Sequence, residues 1–325
     1  MIKKRHRLAV FVLLLISWIV AACDHKNQQA SHNTLTDIRI GYQKGGTVLL
    51  MKHQKILQDQ LEKKGYRVTW SEFNTGSSIL EALNTGSIDF AVAGDIPSIF
   101  ALAKGADFRY IAGEPSSPAS EGILIRKGLS LSSLAHLKGK KIALNKASIA
   151  EYLLVKALRS AGLSLDDVQP VYLNPPDASL ALEKGEVDAW VVWDPFLSVA
   201  ESKGHRLLKD ATGIVPYRTF YFSSSAIAKH HPEVVRQFVH SLQETGKQIH
   251  QDPTEAAQLL HQVTNLPVDT WIHVLKKRNS TVQWMDESAI RDLQQQANDL
   301  RAIGLINKEV SIANYVWTPS STKGE

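Results

Sequence analysis

The chain is 325 residues long, 44% of them hydrophobic, with a formal charge of +5; that is enough for two lobes of about 100 to 150 residues, each with its own core. Four of the positive charges, Lys3, Lys4, Arg5 and Arg7, fall within the first seven residues. Without them residues 23–325 hold 33 basic against 32 acidic side chains, which leaves no basic stripe for nucleic acid to use, and a lone Cys23 excludes a disulfide within the chain.

Those four charges open a targeting segment. They precede an apolar run over 8–20, broken only by Ser17, that ends in Val20-Ala21-Ala22-Cys23. A basic start, a short apolar stretch and small residues before a cut read as a secretory signal over 1–22 rather than a permanent span. The placement of Cys23 resembles the bacterial lipobox, whose cysteine is acylated and becomes the first residue of a lipoprotein. Asp24 after it resembles the signal for retention in the inner membrane. Residues 23–37 are polar, have no hydrophobic period and read as a tether.

The folded part starts with an alternating strand over 38–42 and runs through Gln43-Lys44-Gly45-Gly46-Thr47 into an amphipathic helix from 48 to about 64. Glycines there let backbone approach a ligand, and the helix start turns free amides outward. An ordinary turn capped by Thr47 is the alternative, and a P-loop fails for want of a G-K-[ST] ending. A strand over 67–73 and a helix opened by a Ser78 to Glu81 capping box come next.

Residues 80–97, LEALNTGSIDFAVAGDIP, carry a pattern most of which returns 99 residues later, pairing Leu83 with Leu182, Gly86 with Gly185, Ile88 with Val187, Asp89 with Asp188 and Asp95 with Asp194. In each copy a helix stops at Gly, a turn with Asp leads into an apolar strand, and an Asp followed by Pro starts the next helix. In open α/β sheets ligands gather where strand ends meet helix starts, so two such units predict two similar α/β lobes around a central cleft.

Between and after the copies the pattern predicts a strand over 108–113, a stiff connector from Glu114 to Pro118 as the first crossing between lobes, and a second-lobe strand over 122–126. A short helix and a glycine turn over 134–141, a strand over 142–144 and a helix with a Ser148 to Glu151 capping box follow. A strand over 171–173 and a Pro175-Pro176-Asp177 turn then lead to a helix from 178. Trp190 and Trp193 divide between core and cleft, with Trp193 toward the cleft. A strand over 219–223 carries the chain back, and 232 to about 306 is helical with a break near Leu266-Pro267. The predicted division is lobe I over 38–118 and 224–319, lobe II over 119–223, and a tail over 320–325.

Helix starts after Gly45-Gly46, Gly94-Asp95 and the turn from Asn145 to Ser148 suit an anion in the cleft. The ligand-contact candidates are Gln43, Gly45, Gly46, Gly94, Asp95, Ser148, Ile149, Trp193, Asp194 and Tyr221. Asp95 and Asp194 would repel an anion they faced, so they are assigned mainly to capping or cross-lobe bonds. Trp193, Phe196 and Tyr221 are either neighbours of an apolar ligand tail or ordinary core. No buried Arg is required. There is no G-x-S-x-G, H-E-x-x-H or C-x-x-C, and His230, His231, His240, His250, His261 and His273 lack ligand spacing, so neither an enzyme nor a metal or other cofactor is expected.

Ile40-Gly41-Tyr42-Gln43-Lys44-Gly45, Gly94-Asp95-Ile96-Pro97, Gly105-Ala106-Asp107, Gly113-Glu114-Pro115 and the run from Asp188 to Pro195 resemble the aliphatic sulfonate-binding component of bacterial ABC importers, in the nitrate, sulfonate and taurine binding family. The resemblance covers about 38–319. It implies a type II periplasmic binding-protein fold and a monomer, and the lipobox adds an anchor by lipid on the periplasmic side of the inner membrane. Such a protein delivers an alkanesulfonate to a permease and its ATPase for sulfur acquisition. Taurine, nitrate or a thiamine-precursor-like heterocycle are the alternative ligands, and a cleft enzyme of the same fold the alternative class. Ala147-Ser148-Ile149 departs from the family's usual Gly-Ser-Ser at a ligand contact, and the lipobox departs from the usual soluble member.

Overall fold

The computed structural model describes residues 36–319. The expected signal segment, Cys23, nearly all of the tether and the tail over 320–325 lie outside the described residues. Among the described residues no helix is long and apolar enough to cross a membrane.

The two repeat copies become interior strands of two separate sheets. One sheet holds β1 (Thr36–Tyr42), β2 (Tyr66–Glu72), β3 (Phe90–Gly94), β4 (Phe108–Gly113), β10 (Thr219–Ser224) and β11 (Gln283–Trp284) in the order β11-β4-β10-β3-β1-β2. The other holds β5 (Glu121–Ile125), β6 (Lys141–Leu144), β7 (Gln169–Tyr172), β8 (Ala189–Trp193) and β9 (Arg206–Asp210) in the order β7-β6-β8-β5-β9. β3, FAVAG, and β8, AWVVW, are buried almost throughout, which is why they read as continuous rather than alternating apolar runs. β3 lies parallel to β1 and antiparallel to β10; β8 lies parallel to β6 and antiparallel to β5.

The repeated Asp has the same task in each copy. Asp89 accepts from the Arg39 amide at 2.8 Å, midway along β1, and Asp188 from the Lys141 amide at 3.0 Å, at the start of β6, each carboxylate holding the adjacent parallel strand. The helices before them, α3 (Gly76–Asn84) and α6 (Pro175–Lys184), run out at Gly86 with φ 74° and Gly185 with φ 75°, conformations that favour glycine.

The remaining helices are α1 (Gly46–Gln54), α2 (Ile56–Glu62), α4 (Asp95–Ala103), α5 (Ile149–Ser160), α7 (Phe196–Ser202), α8 (Ser225–His230), α9 (Pro232–Gln251), α10 (Pro253–Thr264), α11 (Val268–Lys277) and α12 (Glu287–Ala302). Helix α9 packs Phe238 on Phe90 with ring centroids 4.4 Å apart, and Phe108, Tyr110, Phe220 and Phe222 form an aromatic cluster between β4 and β10.

Several expectations are corrected. The first long helix is two, because Lys55 turns left-handed at φ 59°. Helix α3 is capped by Thr75, which accepts from the Ser78 amide, so Ser78 lies inside it rather than at its start. Ser148 does cap α5, but Glu151 accepts from the Ala147 amide instead of closing the box on Ser148. Helix α6 begins at Pro175 under an Asn174 cap, its prolines using first-turn positions whose amides have no helical partner. β10 pairs with β3 and β4 from Thr219 onward, so the return crossing precedes Thr219 instead of falling at 223. β9 and β11 have no counterpart in the expectations; both are short, and neither alternates cleanly.

Candidate functional site

Four helices of nine or more residues start around one cavity: α1 after Gly45, α3 at Gly76, α4 after Gly94, and α5 after Ser148. The first-turn amides of α1, α3 and α5 have no backbone partner within the helix, and each of these starts carries partial positive charge; at α4 the Asp95 amide donates to the Arg218 carbonyl, the Ile96 amide to the Asp95 carboxylate, and Pro97 has no amide to give. α3 is the one sequence reading missed as a contributor, since its true start lies two residues before Ser78. The cavity measures about 70 Å³.

Behind the α1 start lies a buried ion pair. Arg278, one residue past α11, donates from Nε to Glu114 Oε2 at 2.7 Å and from Nη2 to Thr219 Oγ1 at 3.1 Å. Glu114 is 2% exposed and also accepts from the Thr47 and Tyr221 hydroxyls. Burial opposes the charge on Arg278, but Glu114 outweighs it and holds the guanidinium firmly protonated. The guanidinium lies against Gly46: a Cβ there would come 2.5 Å from Nη1, and the φ of +72° is itself unfavourable to other residues. Gly46 is thus required by close approach, and Arg278 itself lines the cavity.

Of the expected contact residues, Gln43, Gly45, Gly94, Ser148, Ile149, Trp193 and Asp194 line this cavity. Three do not. Gly46 sits behind Gly45, packed on Arg278. Tyr221 is fully buried in β10, its hydroxyl turned to Glu114. Asp95 is 1% exposed and accepts from the Ile96 amide, the Arg218 amide and Gln296 Nε2. Burial pushes its pKa up to about 6 against the pull of those donors.

Asp194 reaches the wall but is committed elsewhere: one oxygen caps α7 by accepting from the Ser198 amide at 2.9 Å and its hydroxyl at 2.6 Å, and Lys277 Nζ stands 3.6 Å from the other. Burial raises its pKa while Lys277 lowers it. Lys277 also donates to Glu201 and Ser198, tying α11 to α7 across the lobes. On the other side Tyr152 and Lys156 of α5 both donate to Asp299 of α12 at 2.8 and 2.7 Å, and Ser77 donates to the Ala147 carbonyl. The cavity therefore lies between lobes that already touch on both flanks.

Arg278 is the main residue sequence reading missed. It follows Lys276-Lys277 and reads as the basic end of a surface helix. Glu114 offered a signal, a lone acid directly after an apolar strand, yet its partner lies 164 residues away. Among the described residues no group of three or more His, Cys, Asp or Glu could hold a metal.

A family model described as NMT1/THI5 like matches residues 61–256. An aliphatic sulfonates-binding protein of Escherichia coli K12 is 36% identical over 323 residues, covering 98% of each chain. The solved structure of an alkanesulfonate-binding protein, SsuA, from Xanthomonas axonopodis pv. citri, bound to MOPS, superposes with a TM-score of 0.81 at 37% identity, over 87% of this chain and 98% of that one. The desulfurization enzyme DszB shares the fold at a TM-score of 0.64 and 14% identity, over 86% of this chain and 96% of that one. The two-lobed α/β architecture is the periplasmic binding-protein fold of these relatives.

Proposed function

This chain belongs to the NMT1/THI5-like family, among its aliphatic sulfonate-binding proteins, and from that premise we propose that it captures an aliphatic sulfonate between its lobes and presents it to an ABC permease for import. The observation that carries the reading is the convergence of three helix starts with free amides, those of α1, α3 and α5, and Arg278 on one cavity. A sulfonate keeps its charge at any physiological pH and offers three acceptor oxygens, which suits donors fixed in place rather than groups that titrate.

Hydrogen bonds from amides to a charged acceptor contribute about 1.5 to 3 kcal/mol each. Micromolar binding needs about 8 kcal/mol, net of the freedom lost on association, so three or four such bonds with some apolar burial suffice. Glu114 already neutralises much of Arg278, so the guanidinium serves as a positioned donor more than as a free charge. Val48, Phe73, Ile149, Trp193 and Phe196 offer apolar surface for the tail.

The protein works as a monomer held by an acyl chain on Cys23 at the periplasmic face of the inner membrane, and its cargo supplies sulfur. Lipid labelling lost in Cys23→Ser tests the anchor. The E. coli and Xanthomonas relatives are binding proteins by name, and binding without turnover is the activity assigned to this cleft.

Calorimetric titration of the ligand-stripped protein with methanesulfonate, taurine, nitrate and sulfate tests the ligand class. One-to-one binding of the sulfonate at micromolar or lower Kd, with nitrate and sulfate silent, is expected; binding of nitrate alone would contradict the assignment.

A further inference from the structure

Resting on the sulfonate reading, the charges around the cavity decide which anions it refuses. The charged side chains that line it are Lys44, Asp194 and Arg278, and each is matched by a group of opposite sign. Lys44 Nζ stands 3.3 Å from Glu72, Arg278 Nε lies 2.7 Å from Glu114, and Lys277 Nζ stands 3.6 Å from Asp194. Lys277 also meets Glu201 at 3.2 Å, so its charge is fully used. We infer that the cleft is a filter for singly charged anions, refusing dianions such as sulfate because the carboxylates paired with its cations, Glu114 above all, cancel their charge.

Glu114 leads because of where its pair lies. The Lys44 side chain is 59% exposed and water screens it, whereas Arg278 and Glu114 are 17% and 2% exposed, and buried charges are screened far less. The groups that face Glu114 are Thr47 from α1, Tyr221 from β10 and Arg278 past α11. The two hydroxyls donate to Oε1 at 2.8 and 2.5 Å, and Arg278 donates to Oε2. Burial and Glu114 both oppose ionisation of Tyr221, which stays a neutral donor. Arg278 is thus the one charge in contact with Glu114, and the guanidinium reaches the cavity with its charge already answered.

The attraction of fixed donors grows in proportion to the charge of a ligand, while the cost of taking it out of water grows with the square of that charge. A second negative charge therefore about doubles the gain and about quadruples the cost. A surplus of positive charge at the site would close the gap, and the pairing removes it. Size does not decide between sulfate and methanesulfonate, which differ by one oxygen in place of a methyl group. Methylphosphonate isolates the charge: it has the shape of methanesulfonate and passes from one negative charge to two near neutral pH.

The test is calorimetric titration of the full-length protein, purified in detergent and stripped of ligand, with methanesulfonate, methylphosphonate and sulfate between about pH 6 and about pH 8.5. Protein groups that titrate in that range, Asp95 included, act on methanesulfonate as well, so the ratio of methylphosphonate to methanesulfonate affinity reports the charge of the ligand. In wild type that ratio falls about tenfold or more as pH rises, and sulfate does not bind. Glu114→Gln frees the charge of Arg278: the ratio at the upper pH rises about tenfold over wild type and sulfate binding becomes measurable. Glu114→Asp keeps the charge and lowers both affinities together. Asp194→Asn adds a positive charge at the wall without touching the Arg278 cluster, raises the ratio in the same direction, and carries the test if Glu114→Gln does not fold. A wild-type ratio that stays level with pH overturns the filter, and so does a wild-type ratio kept by the folded Gln or Asn variant. Failure of methanesulfonate itself overturns the function beneath it instead.

Discussion

The two copies of the repeat end alike, in a buried strand, an aspartate and a nearby proline, yet the two aspartates have separate fates. Asp95 turns away from the cavity and takes three donors from its own lobe and the crossing segment. Asp194 stays on the wall, caps a short helix and meets Lys277 from the opposite lobe. A shared local motif thus places a carboxylate at the same point of each lobe, and the long-range partner decides whether it becomes scaffold or a tie across the cleft.

The largest expected effect falls where the crossing contacts are anchored. Lys277 reaches the second copy while Arg278, next in the chain, is fixed to Glu114 and Thr219. Arg278→Ala strands a buried carboxylate and should cost about 3 to 5 kcal/mol of stability along with detectable sulfonate binding. Urea melts and titration check the two separately, and wild-type behaviour in both would show the anchor to be dispensable.

Asp95 gives a pH signature that separates the two aspartates. Its folded pKa, about 6, lies above its unfolded value, so the native state holds the proton more tightly. Stability from this group is full below about pH 4 and is lost as pH rises through 6, by about 3 kcal/mol in all. Glu121, fully buried without a partner, is shifted the same way by burial, so the informative quantity is a difference. Measured by urea melts, Asp95→Asn relative to wild type should gain about 2 to 3 kcal/mol between pH 4 and pH 7.5. A flat difference contradicts the raised pKa.

Asp194→Ala removes a helix cap and one partner of Lys277, at an expected cost of about 1 to 2 kcal/mol. Lys277 keeps Glu201, so the lobes still engage and ligand affinity falls less than tenfold; loss of all binding would place Asp194 in contact with the ligand. The smallest effect is at the far flank. The Lys156 to Asp299 pair is about a third exposed on each side, and Lys156→Ala should change stability by at most about 1 kcal/mol, with the Tyr152 hydroxyl still on Asp299.

The repeat was the most legible feature because glycine at a left-handed C′ position, Asp at the strand start and an unbroken apolar strand are each local requirements that leave a residue-level trace. Helix starts at Gly45, Gly94 and Ser148 were legible for the same reason. The start of α3 was misplaced because Ser78 and Glu81 mimic a capping box, while Thr75, three residues earlier, makes the cap. Arg278 and Glu114 were not paired because nothing local couples residues so far apart; only β10, pairing with β4 and leaving Thr219 beside both, brings them together. Tyr221 is left by the sequence as either a cleft aromatic or ordinary core, and is the latter, because strand alternation tells which residues share a face, and not which face the cleft takes.

The most direct measurement is the crystal structure of the ligand-stripped protein soaked with 2-bromoethanesulfonate, with anomalous data collected at the bromine edge. The account predicts one bromine in the cleft beside Ile149 and Trp193, with the sulfonate oxygens among the Gly45 and Ser148 helix starts and Arg278. Bromine found only outside the cleft, with the space between the lobes filled by solvent, would contradict it.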